Sequence, residues 1–384
     1  MEDLRVIITA QGKRGRLGFG GLVIILKRVK LKRVKLFDFR SYTKREFVFD
    51  EGTTVVVGEN GAGKTNLLEG IYFLATGKSF RAGSDLEVIR HGQSLGRVIG
   101  ELEDGGEGVE LEVVVGDGSA GMGRKKFMVN GVGRRLIDFS ARLKAVMFGP
   151  WDLELVDGSP GRRRDYLDRV LCLVDREYRR ALGSYEKGIR QRNRLLIRIR
   201  EGQAGRGQTL FWDKLVVKNG NYISSKREEY LKFLNEQGVR FWEGSGQYGI
   251  EYDKSVISEE RLEKYAREEV LAGVTLVGPH RDDFTLSVCG VDEGAGMGWI
   301  RDVSKFGSRG EQRMGVLWLK LGEVYYTRQV SGVEPILLLD DVFSELDSQH
   351  RELVKKMLGG RQSVVTCADK HVVEGIGGFL VKID

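Results

Sequence analysis

Cysteine and histidine are scarce in this sequence. Its three cysteines, Cys172, Cys289 and Cys367, lie too far apart for a C-x-x-C knuckle or an evident disulfide framework. Its four histidines are scattered and offer no metal cluster. His280, inside Gly278-Pro-His-Arg-Asp-Asp283, is read as a structural or hydrogen-bonding residue rather than a ligand. No run of about eighteen apolar residues occurs, which excludes a transporter with fused membrane helices but not a soluble transporter subunit. No signal-peptide pattern is evident. With so few cysteines, a reducing cytoplasm is the expected compartment.

What is present is ample core-forming material and an uneven charge. At 384 residues and 41% hydrophobic content, the chain is long enough for two or three domains. The net charge is +7, yet residues 161–240 hold 20 Lys/Arg against 10 Asp/Glu and residues 1–36 hold 10 against 2, leaving −11 on the remainder. The densest run, Gly188 to Arg200, has five arginines and no acid. Binding a nucleic-acid backbone needs such a run, because each neutralised phosphate releases condensed counterions. A solvated basic helix would have the same composition.

The chemistry is concentrated in distant segments. Gly58, Glu59, Asn60, Gly61, Ala62, Gly63, Lys64 and Thr65 follow the apolar run Thr53–Val57 and open an amphipathic stretch, Asn66–Leu74. Glycines let successive N–H groups turn toward a β-phosphate, and the helix adds the positive end of its dipole. This G-x-x-x-x-G-K-[ST] spacing predicts a site for a nucleoside triphosphate, taken as ATP, with Lys64 reaching the β- and γ-phosphates and Thr65 ligating Mg²⁺. Far downstream, Pro335–Asp341 reads as an apolar strand ending in two carboxylates. An acid at the carboxyl end of a buried parallel strand is where a Mg²⁺-organising group is needed. Asp340 is assigned to the metal, directly or through water, and Asp341 to orienting or deprotonating the attacking water. Lys64 and Asp341 are therefore the expected catalytic residues.

Between these segments, Phe306–Arg313 precedes a helical pattern with apolar Met314, Leu317, Leu321 and Val324. Its Ser308-x-Gly310-x-Gln312 turn resembles the signature motif of ABC-type ATPases. A serine hydroxyl, glycine amides and a helix dipole suit an anion, although an ordinary N-capped helix would look alike. The resemblance implies that Ser308 and Gly310 hold the γ-phosphate bound by a second subunit, in an ATP-sandwiched head dimer. Ser344-Glu-Leu-Asp347 is similar to the D-loop that crosses such an interface.

Helical patterns run from Arg162 to Arg200 with breaks near Gly183 and Gly188, from Leu210 to Gln237, and, after a polar link at Gly244–Gly246, from Ser258 to Leu271. Arg97–Leu102 and Val109–Val115 read as antiparallel strands of a side sheet, and Gly273–Val277 and Phe284–Cys289 as further strands. The expected fold is α/β: an ABC-type ATPase head of the P-loop NTPase class, split by an inserted, mainly helical arm. Residues 27–157 and 273–384 are the expected head halves, and 158–272 the arm.

In order along the chain, Leu36–Tyr42, Gly77–Arg81, Asp157–Arg164, Gln191–Leu196, Gly278–Asp283, Gly307–Gln312 and Leu339–Asp347 resemble the RecF family of DNA replication and repair proteins, over roughly residues 27–384. That family is an SMC-like branch of ABC-type ATPases, with a head and helical arm but no long coiled coil. The resemblance implies ATP-dependent homodimerisation on DNA, preference for gapped or junction DNA, and a weak DNA-stimulated ATPase. It also implies cooperation with RecR-type and RecO-type mediator proteins in loading recombinase onto single strands.

The sequence departs from the family in three places. Residues 1–26 precede the usual start and are read as a misassigned start or a basic extension, Leu26–Lys30 being repeated as Leu31–Lys35. No histidine occupies the switch position in Val364–Asp369, where Thr366 is the residue available to approach the γ-phosphate region. No Q-loop glutamine is identified, although Phe148–Asp152 lies near its place. Slow turnover is the expectation. The competing readings are another SMC-like ATPase and a soluble transporter ATPase subunit. A nuclease-bearing relative would need a carboxylate-rich domain that is not visible. A transporter subunit would place about a hundred residues between Thr65 and Ser308, where this chain has 243.

Overall fold

The computed structural model describes residues 27–118, 124–241, 247–291, 298–346, 348–369 and 375–383. Residues 1–26, the link at 244–246 and Asp347 lie outside the described residues. The first part of the chain forms β1 (Val29–Phe39), β2 (Tyr42–Val48), β3 (Thr53–Val57), α1 (Lys64–Thr76), β4 (Leu95–Asp104) and β5 (Glu107–Gly116). It continues through β6 (Lys125–Val129), β7 (Val132–Arg134), α2 (Leu136–Phe139) and β8 (Ala145–Phe148). Six of these strands make an antiparallel sheet in the order β2-β1-β4-β5-β6-β7.

Alternation, reset once by a bulge between Leu31 and Arg33, explains β1. Leu31, Val34 and Leu36 are fully buried, and the basic residues between them turn outward onto acids of neighbouring segments. Lys32 pairs with Glu103 (2.9 Å), Arg33 with Glu46 (2.6 Å), Lys35 with Glu101 (2.7 Å) and Lys30 with Glu51. The described part of the repeated Leu-Lys-Arg-Val-Lys segment is thus a bulged strand whose positive charge is locally matched.

The next part forms α3 (Glu154–Asp157), α4 (Pro160–Val174), α5 (Arg176–Arg200), α6 (Leu210–Phe241), β9 (Gln247–Asp253), α7 (Glu259–Lys264) and α8 (Ala266–Ala272). Two sequence expectations fail here. The helix break falls at Asp175, whose carboxylate caps α5 by accepting from the N–H groups of Glu177 (2.8 Å) and Tyr178 (2.9 Å). Helix α5 then runs unbroken through Gly183 and Gly188. A Cβ at Gly188 would lie 2.7 Å from Leu215 of α6, so that glycine serves the close approach of two helices rather than a turn. Nor is Gly273–Val277 a strand. The Thr275 and Leu276 amides donate to the side chains of Asn193 (2.9 Å) and Glu269 (2.8 Å), which leaves them unavailable to a ladder.

The last part forms β10 (Asp283–Val291), β11 (Gly298–Asp302), α9 (Val303–Phe306), α10 (Arg309–Ser331), β12 (Ile336–Asp340), α11 (Ser348–Leu358), β13 (Ser363–Cys367) and β14 (Phe379–Lys382). Strands β11, β10 and β9 make a small antiparallel sheet. The central sheet, in the order β14-β3-β13-β12-β8, is parallel throughout and gathers strands from both ends of the chain. Strands β12 and β13 are buried at every position, which is why Pro335–Asp341 reads as an apolar run. Because parallel strands share one carboxyl edge, the loop after β3 and the acids ending β12 become neighbours. Among the described residues, no helix is long and apolar enough to cross a membrane.

A buried ionic hub joins α4, α5 and α6 to the small sheet and the segment before β10. The Arg227 guanidinium, 2% exposed, donates to Asp282 (2.9 Å), Asp168 (2.8 Å), the Pro279 carbonyl (2.7 Å) and the Tyr178 hydroxyl (3.1 Å). Asp282 also accepts the Tyr252 hydroxyl and the Ser255 amide (2.8 Å). Next to it Asp283 takes both arms of Arg163, at 2.6 and 2.9 Å. Two distant motifs, Asp157–Arg164 and Gly278–Asp283, are therefore halves of one structural joint. His280 belongs to it too: its ring nitrogens lie 2.7 Å from the Tyr185 hydroxyl and 3.0 Å from the Thr275 carbonyl, and burial lowers its pKa. Removing one partner of a buried ion cluster strands the others, so Arg227→Ala should cost about 3–5 kcal/mol in urea unfolding. Arg180→Ala, which breaks an exposed pair with Glu177, should cost at most about 1 kcal/mol. Equal losses in the two variants would contradict the hub.

Candidate functional site

At the carboxyl edge of the central sheet, the loop from Gly58 to Lys64 links β3 to α1. Its glycines are sterically required. Gly61 and Gly63 have φ of +89° and +103°, and Gly63 admits no side chain because a Cβ would lie 2.7 Å from the Tyr42 hydroxyl. At Gly58 a Cβ would meet the Ile383 carbonyl at 2.4 Å. Glu59 and Asn60 are exposed and Ala62 is half-buried, so these three positions serve the loop chiefly through backbone. The Lys64 ammonium is buried against its own loop, donating to the carbonyls of Gly58 (2.7 Å) and Glu59 (2.9 Å). An ammonium has three donors, which leaves one for a phosphate oxygen.

The opposite wall comes from β12 and β13. Thr65 donates its hydroxyl to Asp340 Oδ2 at 2.7 Å, joining residues 275 apart in sequence. Asp340 is 6% exposed, and its Oδ1 accepts the Thr366 hydroxyl, also at 2.7 Å. Asp341 follows in the left-handed region at φ +51°; its carboxylate accepts the Ser344 hydroxyl at 2.5 Å. Among the described residues no group of three or more His, Cys, Asp or Glu side chains converges as a chelating cluster. A hydroxyl and a single carboxylate are hard oxygen donors, a set that suits Mg²⁺ completed by phosphate and water rather than zinc. The donor set fits the metal.

One functional support went unread in the sequence. Glu69 lies on the buried side of α1, fully enclosed, and takes Arg40 (2.6 and 2.9 Å), Arg81 (2.6 and 2.9 Å) and the Ser79 hydroxyl (2.6 Å). Burial pushes its pKa up, but these hydrogen bonds outweigh it and hold the carboxyl below its ordinary value. Glu69 thereby ties the segments around Arg40 and Arg81 to the helix that follows the phosphate loop. An isolated glutamate amid an apolar helix pattern was the available signal.

Ser308 and Gly310 stand apart from this edge. Ser308 is exposed at the start of α10 in a capping box with Glu311, whose carboxylate accepts both its amide (2.8 Å) and its hydroxyl (2.9 Å). Among the described residues no hydrogen bond or ion pair links Ser308 or Gly310 to the phosphate loop of the same chain. The arginine run also divides. Arg192 is buried, 3% exposed, and bonded to Asp213 (2.6 Å), Glu269 (2.7 Å) and Thr275 (2.9 Å), so it is not available to a nucleic acid. Lys187, Arg190, Arg194 and Arg198 are exposed on one face of α5.

Residues 30–380 match the family described as RecF/RecN/SMC N terminal domain. The fold is accordingly that of an SMC-like, ABC-type ATPase head. Within that class the chain belongs to the RecF family. It is 37% identical over 339 residues to the DNA replication and repair protein RecF of Moorella thermoacetica, covering 86% of this chain and 88% of that protein. Its structure is similar to that of the recombination mediator protein RecF with ATPrS in the RecFOR pathway, at TM-score 0.83 and 29% identity over 94% of this chain and 98% of that one. The corresponding RecF-ATP structure gives TM-score 0.82 and 28% identity, over 95% and 98%.

If the loop holds a triphosphate, Lys64→Ala removes a charge-assisted hydrogen bond and should weaken ATP binding at least about ten-fold while abolishing hydrolysis. Lys64→Arg should bind ATP yet fail to turn it over, because the planar guanidinium does not replace a compact ammonium. Calorimetry and phosphate release measure the two effects; unchanged hydrolysis in Lys64→Ala would remove the lysine from the site.

Proposed function

We propose that this chain is an ATP-dependent DNA-binding protein of replication and recombinational repair. It binds ATP and Mg²⁺ through Gly58–Thr65 and Asp340, pairs with a second copy across the signature face, and engages gapped or junction DNA in the cytoplasm. With RecR-type and RecO-type partners it helps load recombinase onto single strands, and DNA stimulates a slow ATPase. The observation that carries this reading is the Thr65–Asp340 hydrogen bond, which puts a hydroxyl and a carboxylate of the right kind for Mg²⁺ beside a phosphate loop. Similarity to RecF proteins, two of them solved with ATPrS or ATP, supports the biological role.

In this reading Lys64 neutralises phosphate charge, Thr65 and Asp340 hold the metal, and Asp341 orients the attacking water. The metal, when bound, polarises the phosphoryl oxygens. Ser308 and Gly310 offer a hydroxyl, an amide and a helix N-terminus to the γ-phosphate held by the other copy. Asp341→Asn should therefore keep ATP and prolong the dimer, whereas Ser308→Arg should bind ATP as a monomer. Size-exclusion chromatography with ATP distinguishes them. Dimerisation of Ser308→Arg at the normal level would count against the sandwich.

For DNA, the exposed stripe of Lys187, Arg190, Arg194 and Arg198 is the favoured surface. These residues recur at helical spacing over about 16 Å of α5, and none has an ion-pair partner among the described residues. Each phosphate contact contributes close to one unit of salt slope, so Arg190→Ala with Arg194→Ala should flatten the dependence of duplex binding on salt by about two units. Sequence preference and ATP affinity should not move. Arg192→Ala should instead lower stability. An unaltered slope in the double variant would take DNA off this helix face.

A further inference from the structure

We infer that Thr366 is a positioning residue for both consecutive acids, Asp340 and Asp341, and not a contact for the γ-phosphate; this rests on the nucleotide and metal reading above. Thr366 lies on β13 directly opposite Asp340 in the parallel register, and it is fully buried. Its single hydroxyl proton has two acceptors within reach. Asp340 Oδ1 stands at 2.7 Å and the Leu339 carbonyl at 3.4 Å, so the carboxylate takes the stronger bond. The same hydroxyl oxygen accepts the Asp341 amide at 3.2 Å, and the Thr366 carbonyl accepts that amide at 3.2 Å as well. One side chain thus orients a carboxylate and pins the backbone of its neighbour.

The pinning matters because Asp341 holds φ +51°, a conformation uncommon outside glycine although aspartate tolerates it better than most residues, and the two bonds to its amide fix the chain there. The orienting matters because, among the described residues, the Asp340 carboxylate has two hydroxyl partners, Thr65 and Thr366. The Thr65 oxygen is the one a metal would take, which leaves the Thr366 hydroxyl as the donor that fixes the carboxylate plane. Such outer contacts to a ligand set metal affinity without touching the metal. Threonine suits the place: its branched Cβ restricts χ1 in a strand, and its short reach ends at the acids.

Two substitutions separate this role from packing. Thr366→Val keeps the shape and removes the hydroxyl; Thr366→Ser keeps the hydroxyl. ATP binding is followed by calorimetry across a Mg²⁺ titration and in EDTA. Thr366→Val should raise the Mg²⁺ concentration for half-effect about 10-fold, leave ATP affinity in EDTA within about two-fold, and be rescued by Thr366→Ser. A Mg²⁺ midpoint unchanged in Thr366→Val, an equal loss in EDTA, or a serine variant that behaves like valine would each overturn the inference. Wild-type ATP binding that ignores Mg²⁺ would overturn it by a different route, by removing the metal from Asp340.

Discussion

The hydrogen bond from Thr65 to Asp340 depends on one constraint: β3 and β12 must end at the same edge of a parallel sheet. Strand β13 lies between them and pairs in parallel with both, so the register of two ladders sets the reach of a single hydroxyl. A separation of 275 positions is tolerated because closing a longer loop costs little more than closing a shorter one, about 0.6 kcal/mol for each doubling. What the intervening chain must do is return to its starting place. Pairing of Ile336 with Ala145, β12 beside β8, achieves that return.

Three of the buried charges in this protein are shared. Glu69 between Arg40 and Arg81, Arg227 between Asp168 and Asp282, and Arg192 between Asp213 and Glu269 follow one pattern: an enclosed ion with at least two opposite partners and further hydrogen bonds. Desolvation makes each cluster a weak source of stability and a strong source of geometry, since any other packing would strand a charge. They sit where segments distant in sequence meet. The Arg227 and Arg192 clusters tie α4, α5, α6 and α8 to the segment before β10, and the Glu69 cluster ties the segments around Arg40 and Arg81 to α1.

The phosphate loop was legible because its demands are local: left-handed glycines, a lysine and a hydroxyl at fixed offsets between a strand and a helix. Strands β3 and β12 were legible as short apolar runs, the second ending in two acids, whereas β8, β13 and β14 went unread. The course of α5 was not, since Gly188 looks like a helix breaker until α6 is seen against it. Gly273–Val277 carried β-branched residues, and only the side chains of Asn193 and Glu269 show why its amides join no sheet. Counting arginines likewise could not show that Arg192 turns inward while Arg190 and Arg194 turn out, because that division depends on helical phase and on acids 21 and 77 residues away. Glu69 and Thr366 act through other residues, so no motif announces them.

The pairing of β3 has a consequence for how the protein is made. Its two neighbours, β13 and β14, are both late in the chain; Thr53 and Ser363, whose hydroxyls meet at 2.9 Å, are 310 residues apart. A ribosome adding 5–20 residues per second needs roughly 15–60 s to cover that interval. Throughout it Thr53–Val57, an apolar strand with two open edges, has no native partner, while β1, β2, β4 and β5 can already pair. The nascent chain therefore carries a sticky, unfinished centre beside a completed sheet.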